Sequence, residues 1–450
     1  MVDLMVSEQR SGTAGKGVPA GFKLTEVGVI PQDWECVPFG NLFKTSIKKK
    51  NVSDHELVSF VGMQDVSEDA QLKNSIQRPF KEVKSGFTYF EKGDVLLAKI
   101  TPCFENGKGC HTAELPTNIG YGSTEFHVLR ENENSDSRFI YFWTTDIKFR
   151  ASLESEMVGS AGHRRVPLVA IKTFLIPCPK NKQEQSAIAN TLSDIDDLIT
   201  ASEKLIAKKQ AIKTATMQQL LTGKTRLPQF ALRDDGTVKG YKKSEYGEIP
   251  VDWCYIELGN LFEQTINRKT IDSTEEISFI GMQDVSDNAQ LSTYLLMKKC
   301  DIKPGLTYFE RGDVLVAKIT PCFENGKGCY TQTLTTNIGY GSTEFHVLRA
   351  KPNADPEFIY YWTTDIHFRS TLKAEMVGSA GHKRVPFHAI QAYKIPCPEN
   401  KEEQTAIATI LSDMDKDIQT LQQRLDKTRQ LKQGMMQELL TGKTRLIERP

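Results

Sequence analysis

The sequence predicts a mixed α/β fold: two α/β domains in tandem, each followed by a long helix. The two helices are expected to pair as an antiparallel coiled coil with pseudo-twofold symmetry. The first observation is a repeat, because FVGMQDVS at Phe60 returns at Phe279 as FIGMQDVS, and LLTGKTRL at Leu220 returns at Leu439, both 219 residues further on. A unit of this length is a whole domain with its connector, since solenoid repeats have about 20–50 residues. The other two observations, made in each copy, are short apolar runs typical of strands and one apolar heptad seam.

The bulk composition is that of a globular protein. With 450 residues, 39% hydrophobic and 25% charged, the chain is long enough for two or three domains. We find no run of about 18 apolar residues, and residues 1–20 lack the apolar core of a secretory signal. We therefore expect a flexible N-terminal segment at 1–20, no membrane partner and a cytoplasmic location. A net charge of zero argues against a nucleic-acid binder that relies on bulk attraction, so any basic surface is local or partners supply much of it.

The nine cysteines predict reduced thiols. Their number is odd and no CxxC motif occurs, which argues against a disulfide framework. Cys103 and Cys110 return as Cys322 and Cys329, but the adjacent His111 becomes a tyrosine in the second copy. A repeated metal site that uses this histidine is therefore not expected, and we predict no metal site and inert thiols.

Each copy begins with a matched segment, GVIPQDWE at Gly28 and GEIPVDWC at Gly247, which predicts a turn and then a strand. The apolar runs VSFVGM, DVLLAKI and TEFHVL are bounded by Gly, Asn and Asp and predict further strands. Residues 138–153 have helical spacing. We place the first domain at 21–180 and the second at 246–399.

Heptad spacing predicts one helix at 181–222 and another at 400–442, each ending at Thr-Gly. The apolar positions of the seam are Ile188, Leu192, Ile195, Ile199 and Ile206 in the first helix, and Ile407, Leu411, Met414, Ile418, Leu421 and Leu425 in the second. A linker is expected at 223–245 and a tail at 443–450. A twofold axis between equal halves makes the helices antiparallel, although a linker of this length also permits a parallel pair.

This plan resembles the specificity (S) subunit of type I restriction-modification enzymes. The shared strings are IP-x-DW at the start of each domain, PxP…EQxxI at the start of each helix, LLTGKxRL at its end, and FENGKG and GSTEF inside each domain. They occur twice and in order, and the resemblance covers nearly all of the chain after about Gly21.

The resemblance implies that each domain is a target recognition domain, which reads one half of a split double-stranded DNA site. It also implies that the helices hold two methyltransferase (M) subunits and that restriction/translocase (R) subunits join the assembly. S-adenosylmethionine and ATP are then expected on those partners, and this chain is expected to have no cofactor and no catalytic residues. The residues agree: Gln218 and Gln437 stand where a phosphate loop ending in GKT requires glycine, and no NPPY-like methyltransferase motif occurs.

Three loops in each copy carry side chains able to contact bases or phosphates. Glycines let a backbone approach phosphate, Asn and Lys can bind purine edges, Glu can accept from cytosine, and Arg suits phosphate or guanine. A tight turn between strands, a structural turn and a solvated charged turn remain the alternatives for the three loops. The predicted DNA-binding residues of the first copy are Lys99, Thr101, Asn106 and Lys108 in the first loop, Tyr121, Ser123, Thr124 and Glu125 in the second, and Ser160, His163, Arg164 and Arg165 in the third. Those of the second copy are Lys318, Thr320, Asn325 and Lys327, then Tyr340, Ser342, Thr343 and Glu344, and then Ser379, His382, Lys383 and Arg384.

The closeness of the two copies bears on the target. Residues 88–130 and 307–349 differ at only six of 43 positions, so similar readers in inverted orientation predict a palindromic, interrupted site with half-sites about one helical turn apart. One alternative is a coiled-coil scaffold whose domains bind protein. Another is the specificity part of a different DNA-defence assembly.

Overall fold

The protein is described from a computed structural model covering residues 18–160, 162–379 and 381–446. Most of the predicted flexible segment at 1–20, and residues 447–450 of the predicted tail, lie outside this part. Two compact units are present: one contains the chain up to Glu203 together with residues from Arg424 onward, and the other contains Lys204–Gln423. Each unit therefore combines one domain with parts of both long helices.

In the first copy the strands are short and the long helix is continuous. The strands are β1 (Phe22–Thr25), β2 (Gly28–Pro31), β3 (Glu35–Pro38), β4 (Leu57–Val61), β5 (Ile76–Pro79), β6 (Thr88–Glu91), β7 (Val95–Ala98), β8 (Gly109–His111), β9 (Ile119–Gly122), β10 (Phe126–Leu129) and β11 (Leu175–Cys178). The helices are α1 (Phe80–Val83), α2 (Ser137–Thr145), α3 (Ile147–Ser155), α4 (Leu168–Thr173) and α5 (Lys182–Leu221).

The second copy repeats this order of strands and α-helices with two differences, a short extra helix at its start and a 3-10 helix (Lys299–Asp301) in the place of α1. The extra helix is α6 (Pro228–Ala231), and the strands that follow are β12 (Tyr241–Ser244), β13 (Gly247–Pro250), β14 (Trp253–Glu257), β15 (Glu276–Ile280), β16 (Leu295–Lys298), β17 (Thr307–Glu310), β18 (Val314–Ala317), β19 (Gly328–Tyr330), β20 (Ile338–Gly341), β21 (Phe345–Leu348) and β22 (Lys394–Pro398). The remaining helices are α7 (Pro356–Thr364), α8 (Ile366–Ala374), α9 (Phe387–Ala392) and α10 (Lys401–Leu439).

Each domain contains one four-stranded and one three-stranded sheet. In the first domain their orders are β5-β4-β9-β6 and β10-β7-β8, and in the second they are β16-β15-β20-β17 and β19-β18-β21. All pairings are antiparallel except β4 with β9 and β15 with β20. Because parallel strands end at the same edge of a sheet, the segments that follow β4 and β9 leave the sheet side by side.

The predicted helical stretch at 138–153 forms two helices, α2 and α3. The Asp146 carboxylate accepts a hydrogen bond from the Phe149 N–H (2.9 Å) and caps the second helix. Residue Asp146 has extended backbone dihedrals, so it ends α2 as well. The apolar spacing continues across this break, which is why periodicity alone predicts a single element.

The first turns of each long helix are buried in the domain that precedes them. Ile188 and Leu192 share a core cluster with Trp34 of the first domain, and this cluster also contains Met436 and Leu439 from the end of α10. The second unit is built in the same way, since the end of α5 and the start of α10 lie in the core cluster of the second domain. The apolar seam therefore packs partly against the domains as well as between the helices.

Ion pairs within each unit show that the helices are antiparallel. In the first unit Lys432 pairs with Asp196 (2.6 Å) and Arg429 with Glu203 (2.6 Å). Residue numbers therefore decrease along α10 in the direction in which they increase along α5. In the second unit Lys213 pairs with Asp415 (2.6 Å). Lys432 is the repeat equivalent of Lys213, and Asp415 is that of Asp196. Each repeat thus supplies the lysine to one unit and the aspartate to the other, which is the connectivity of the predicted pseudo-twofold pairing.

The segment after each long helix also docks on a domain. Arg226 binds Asp252 (2.7 Å) and Glu403 (2.8 Å) in the second unit. Arg445, its repeat equivalent, binds Asp33 (2.9 Å) and Glu184 (2.6 Å) in the first. The predicted linker at 223–245 contains this docked arginine, helix α6 and strand β12, which forms a hairpin with β13.

Candidate nucleic-acid interface

The three predicted loops of the first domain lie together. The N–H of Thr101 in the first loop donates to the carbonyl of Arg164 in the third (2.9 Å), and the N–H of Val166 donates to the carbonyl of Lys99 (2.8 Å). The Lys99 N–H donates to the carbonyl of Glu125 in the second loop (3.0 Å). Backbone hydrogen bonds therefore join segments that are up to about sixty residues apart in the sequence into one surface.

The second domain builds the same surface with the same bonds. The N–H of Thr320 donates to the Lys383 carbonyl (2.9 Å), that of Val385 to the Lys318 carbonyl (2.9 Å), and that of Lys318 to the Glu344 carbonyl (2.9 Å). The geometry is thus a property of the repeated sequence.

The third loop is a tight turn held at its base. Val158 and Arg165 form an isolated antiparallel bridge, and Gly159 has a φ of +128°. A Cβ on Gly159 would lie 2.7 Å from the carbonyl oxygen of His163, so this position requires glycine. Ser160, His163 and Arg165 are exposed beyond the bridge. The turn therefore presents polar and basic side chains to solvent, beside the exposed Val158 at its base.

An ion pair joins the second and third loops. Arg165 donates from Nε (2.9 Å) and Nη2 (2.8 Å) to the two carboxylate oxygens of Glu125, and Arg384 does the same with Glu344. These hydrogen bonds lower the pKa of the Glu125 carboxyl. The glutamate, predicted as a cytosine acceptor, is already paired with the arginine, so the two side chains form one recognition unit.

Two of the predicted contact residues are wrong for direct binding. Tyr121 is 2% exposed and Tyr340 is 6% exposed, because β9 and β20 are inner strands of the four-stranded sheets. Tyr121 packs against Tyr89 with ring centroids 5.5 Å apart. These buried tyrosines precede the second loop and do not reach its surface.

The first loop uses some of its predicted side chains internally. The Lys108 ammonium donates to the carbonyl of Met63 (3.0 Å), and Lys327 donates to that of Met282 (3.0 Å). The Asn106 amide donates to the Glu68 carboxylate (3.0 Å) but is otherwise exposed. The lysines thus hold the turn after β4 or β15 against the first loop, a positioning role that their residue type did not indicate.

An arginine that was not predicted from the sequence fixes the first loop. Arg150 on α3 donates to the carbonyls of Phe104 (2.8 Å), Gly107 (3.1 Å) and Thr144 (2.6 Å). Burial lowers the pKa of its guanidinium to about 10, which still leaves it charged at neutral pH. Arg369 makes the equivalent bonds in the second domain. The sequence signal that could have identified this arginine is the DIxFR string, which occurs in both copies and places the arginine directly after a buried phenylalanine.

The remaining predicted residues are accessible to different degrees. The exposed ones are Asn106, Thr124, Ser160, His163 and Arg165, with Asn325, Thr343, Ser379, His382, Lys383 and Arg384 in the second domain. The half-buried ones are Lys99, Thr101, Lys108, Ser123, Glu125 and Arg164, with Lys318, Thr320, Lys327, Ser342 and Glu344. Among the described residues, no group of three or more His, Cys, Asp or Glu could hold a metal ion, and no helix there is long and apolar enough to cross a membrane.

The family comparison decides what this paired surface belongs to. The family model described as "Type I restriction modification DNA specificity domain" matches residues 31–214 and again 250–429. The chain belongs to this family. Both matches include one complete set of three loops and most of the long helix that follows it.

The chain is also similar to individual specificity subunits. The chain is 30% identical over 276 residues to the type I restriction enzyme EcoEI specificity subunit of Escherichia coli, a match that covers 60% of this chain but only 43% of that subunit. It is 24% identical over 444 residues to the MjaVIII specificity subunit of Methanocaldococcus jannaschii, covering 93% and 94% of the two chains. The type I restriction-modification S subunit from M. genitalium has the same fold, with a TM-score of 0.54 at 14% identity and 93% and 98% coverage.

Proposed function

We propose that this chain is the DNA-recognition subunit of a type I restriction-modification system and that it reads a bipartite, palindromic site. The observation that carries the proposal is the three-loop surface, assembled by equivalent hydrogen bonds in both domains. A surface of backbone amides, hydroxyls and basic side chains suits phosphates and base edges.

Like half-sites follow from where the two copies differ. The differing positions within 88–130 are Lys92, Leu97, His111, Ala113, Glu114 and Pro116. None of them belongs to the three loops. Among the twelve predicted contact positions, only Arg164 changes, to Lys383, and this change keeps the positive charge. Two readers with the same contact residues bind the same half-site sequence.

The same proposal assigns the chemistry to partners. Two methyltransferase subunits would dock along the long helices and carry S-adenosylmethionine, and restriction/translocase subunits would carry ATP. This chain would recognise DNA and scaffold the assembly without a catalytic residue of its own. The curated relatives are named specificity subunits of type I restriction enzymes, which supports this division of labour.

The test is to co-express the chain with its cognate methyltransferase subunit and to map methylated adenines in the host genome by single-molecule sequencing. A split motif with identical inverted halves is expected. A split motif with unlike halves would contradict the palindrome but keep the recognition function. The absence of any motif, with both proteins soluble and associated, would refute the recognition function and favour a scaffold.

A further inference from the structure

The turn that follows β4 forms a fourth part of the three-loop surface. Because β4 and β9 are parallel, this turn leaves the sheet beside the second loop, and the Ser123 N–H donates to the Val61 carbonyl (3.2 Å). Lys108 of the first loop binds the Met63 carbonyl from the other side (3.0 Å). Two of the three loops therefore contact the turn directly.

The turn is rigid and displays one glutamine. The Asp65 carboxylate accepts from the Gly62 N–H (2.7 Å), and the Asp65 N–H donates to the Gly62 carbonyl (3.1 Å). Between these anchors, Gln64 is exposed, and its side chain makes one long hydrogen bond, from Nε2 to Asp65 at 3.4 Å. A side-chain amide with a free acceptor and a free donor is thus held at a fixed place on the surface.

The second domain repeats the arrangement. Gln283 is exposed, and its Nε2 lies 3.3 Å from Asp284, whose carboxylate accepts from the Gly281 N–H (2.6 Å). Lys327 holds this turn through the Met282 carbonyl (3.0 Å). Neighbouring exposed positions have changed between the copies, since Glu68 and Asp69 correspond to Asp287 and Asn288. The fold does not require the exposed amide, yet both copies have it.

We infer that Gln64 and Gln283 are specificity-determining residues that each read an adenine in one half-site. A glutamine amide matches the N6 donor and N7 acceptor of adenine in the major groove with two parallel hydrogen bonds. Asp65 accepts from one N–H of Gln64, which leaves Oε1 and the other N–H, the pair that adenine needs. This inference rests on the proposed function, because it requires the three-loop surface to lie on DNA.

The experiment is the methylation map with the full chain and its methyltransferase subunit, repeated for Gln64→Ala, Gln283→Ala and the double variant. Each single variant is expected to lose about 10-fold or more of its discrimination at one base pair in one half of the motif. The double variant is expected to relax the same position in both halves. In each single variant, the unchanged domain reports that the protein is folded and assembled.

Gln77→Ala is the matched control, because Gln77 is also an exposed glutamine of the first domain but corresponds to Leu296 in the second. It is expected to leave the motif unchanged. An unchanged motif in the double variant would overturn the inference while leaving the proposed function intact. Uniform loss of methylation without relaxation at one position, at an unchanged melting temperature, would also overturn it. If alanine lowers the melting temperature, Gln64→Met provides the same test with a side chain of similar shape.

Discussion

Arginine and glutamate at the junction of the second and third loops present charge in a fixed geometry. Arg165 uses the Nε/Nη2 edge of its guanidinium on Glu125, so it is held in place but has further N–H donors for a base or phosphate. Arg164, its neighbour, is 3.7 Å from Glu105 and is less constrained. The adjacent arginines therefore suit different contacts, one directional and the other a less constrained charge.

We expect Arg164→Lys to leave DNA affinity within about 2-fold of the wild type, because Lys383 already serves at the equivalent position. Arg164→Gln should weaken binding to all DNA sequences alike. It should also reduce the slope of log Kd against log salt concentration by about one, because one phosphate contact is lost. Fluorescence anisotropy of the complex with the methyltransferase subunit, across a salt series, measures both. A change in sequence preference with Arg164→Lys would show that the fork itself reads a base.

Burial of His111 should make the stability of the first domain depend on pH. Burial lowers the pKa of its imidazole from 6.5 to about 4, and its Nε2 lies 3.0 Å from the Ser137 hydroxyl. The unfolded chain then binds the proton more readily than the folded one, so stability is lost as the pH falls below about 6.5. The loss should reach about 2 kcal/mol near pH 5.

His111→Tyr, which copies Tyr330 of the second domain, should remove this part of the acid sensitivity. The measurement is the melting temperature at neutral and acidic pH, compared between variant and wild type. His163→Asn, which removes an exposed histidine of the same domain, is the matched control. Equal pH profiles for wild type and His111→Tyr would contradict the prediction.

At this scale the sequence located the three loops that lie together, and their contact with DNA stays a prediction, but it could not tell which of their side chains are exposed. Tyr121 was placed in the second loop, yet it lies on β9, an inner strand of its sheet, and is 2% exposed. The Lys108 ammonium donates to the Met63 carbonyl (3.0 Å), and its predicted DNA contact stays a prediction. The burial of Tyr121 and this bond of Lys108 both depend on tertiary neighbours, about which local residue type carries no information.

The elements that dock the ends of the long helices differ in burial between the two units. The Arg226 side chain is 4% exposed and that of Arg445 is 37% exposed. Trp253 donates to Glu403 (3.2 Å), the same carboxylate that Arg226 binds. Removing the first arginine therefore leaves a buried carboxylate without its cation.

We expect Arg226→Ala to destabilise the protein by about 3–5 kcal/mol, and Arg445→Ala by about 1 kcal/mol or less because solvent screens its pairs. Arg226→Lys should recover only part of the loss, since one ammonium cannot reproduce the fork that spans Glu403 and Asp252. Thermal unfolding of the three variants provides the comparison. Equal losses for the two alanine variants would show that burial does not set the cost.

Helices were the most predictable elements. The heptad seam located α5 and α10 to within one to three residues of their bounds, because apolar spacing over more than five turns admits no other element. The break at Asp146 was not predicted, nor was the structure within 223–245. Both depend on single capping or docking residues, Asp146 and Arg226, whose partners are set by the tertiary fold.

In the molecule as a whole, each unit is completed by the helix end of the other repeat. The contacts of Arg226 and Lys213 on the second unit are reproduced by Arg445 and Lys432 on the first. Each repeat therefore carries both the basic residues of these ion pairs and the acidic residues that bind the basic residues of the other repeat. A single repeat has both sides of the interaction but cannot satisfy them alone.

We expect a chain of residues 240–446 to form a homodimer, in which Arg445 of each copy binds Asp252 and Glu403 of the other. Sedimentation equilibrium measures this directly. The same chain shortened to end at residue 423 lacks the exchanged helix end and should not form that dimer. A stable, folded monomer of residues 240–446 would show that one repeat can fold back on itself.

Arg445 beside Asp33 also means that the segments at the start and the end of the described chain lie together in the first unit. Arg226 makes the equivalent contact with Asp252 in the second unit, where residues 227–251 also connect the two covalently. A peptide joining residue 446 to residue 21, with the chain opened between residues 227 and 240, would retain the contacts that both arginines make. Which repeat is translated first is then a matter of gene arrangement, and a circular permutant should retain the recognition properties of the original.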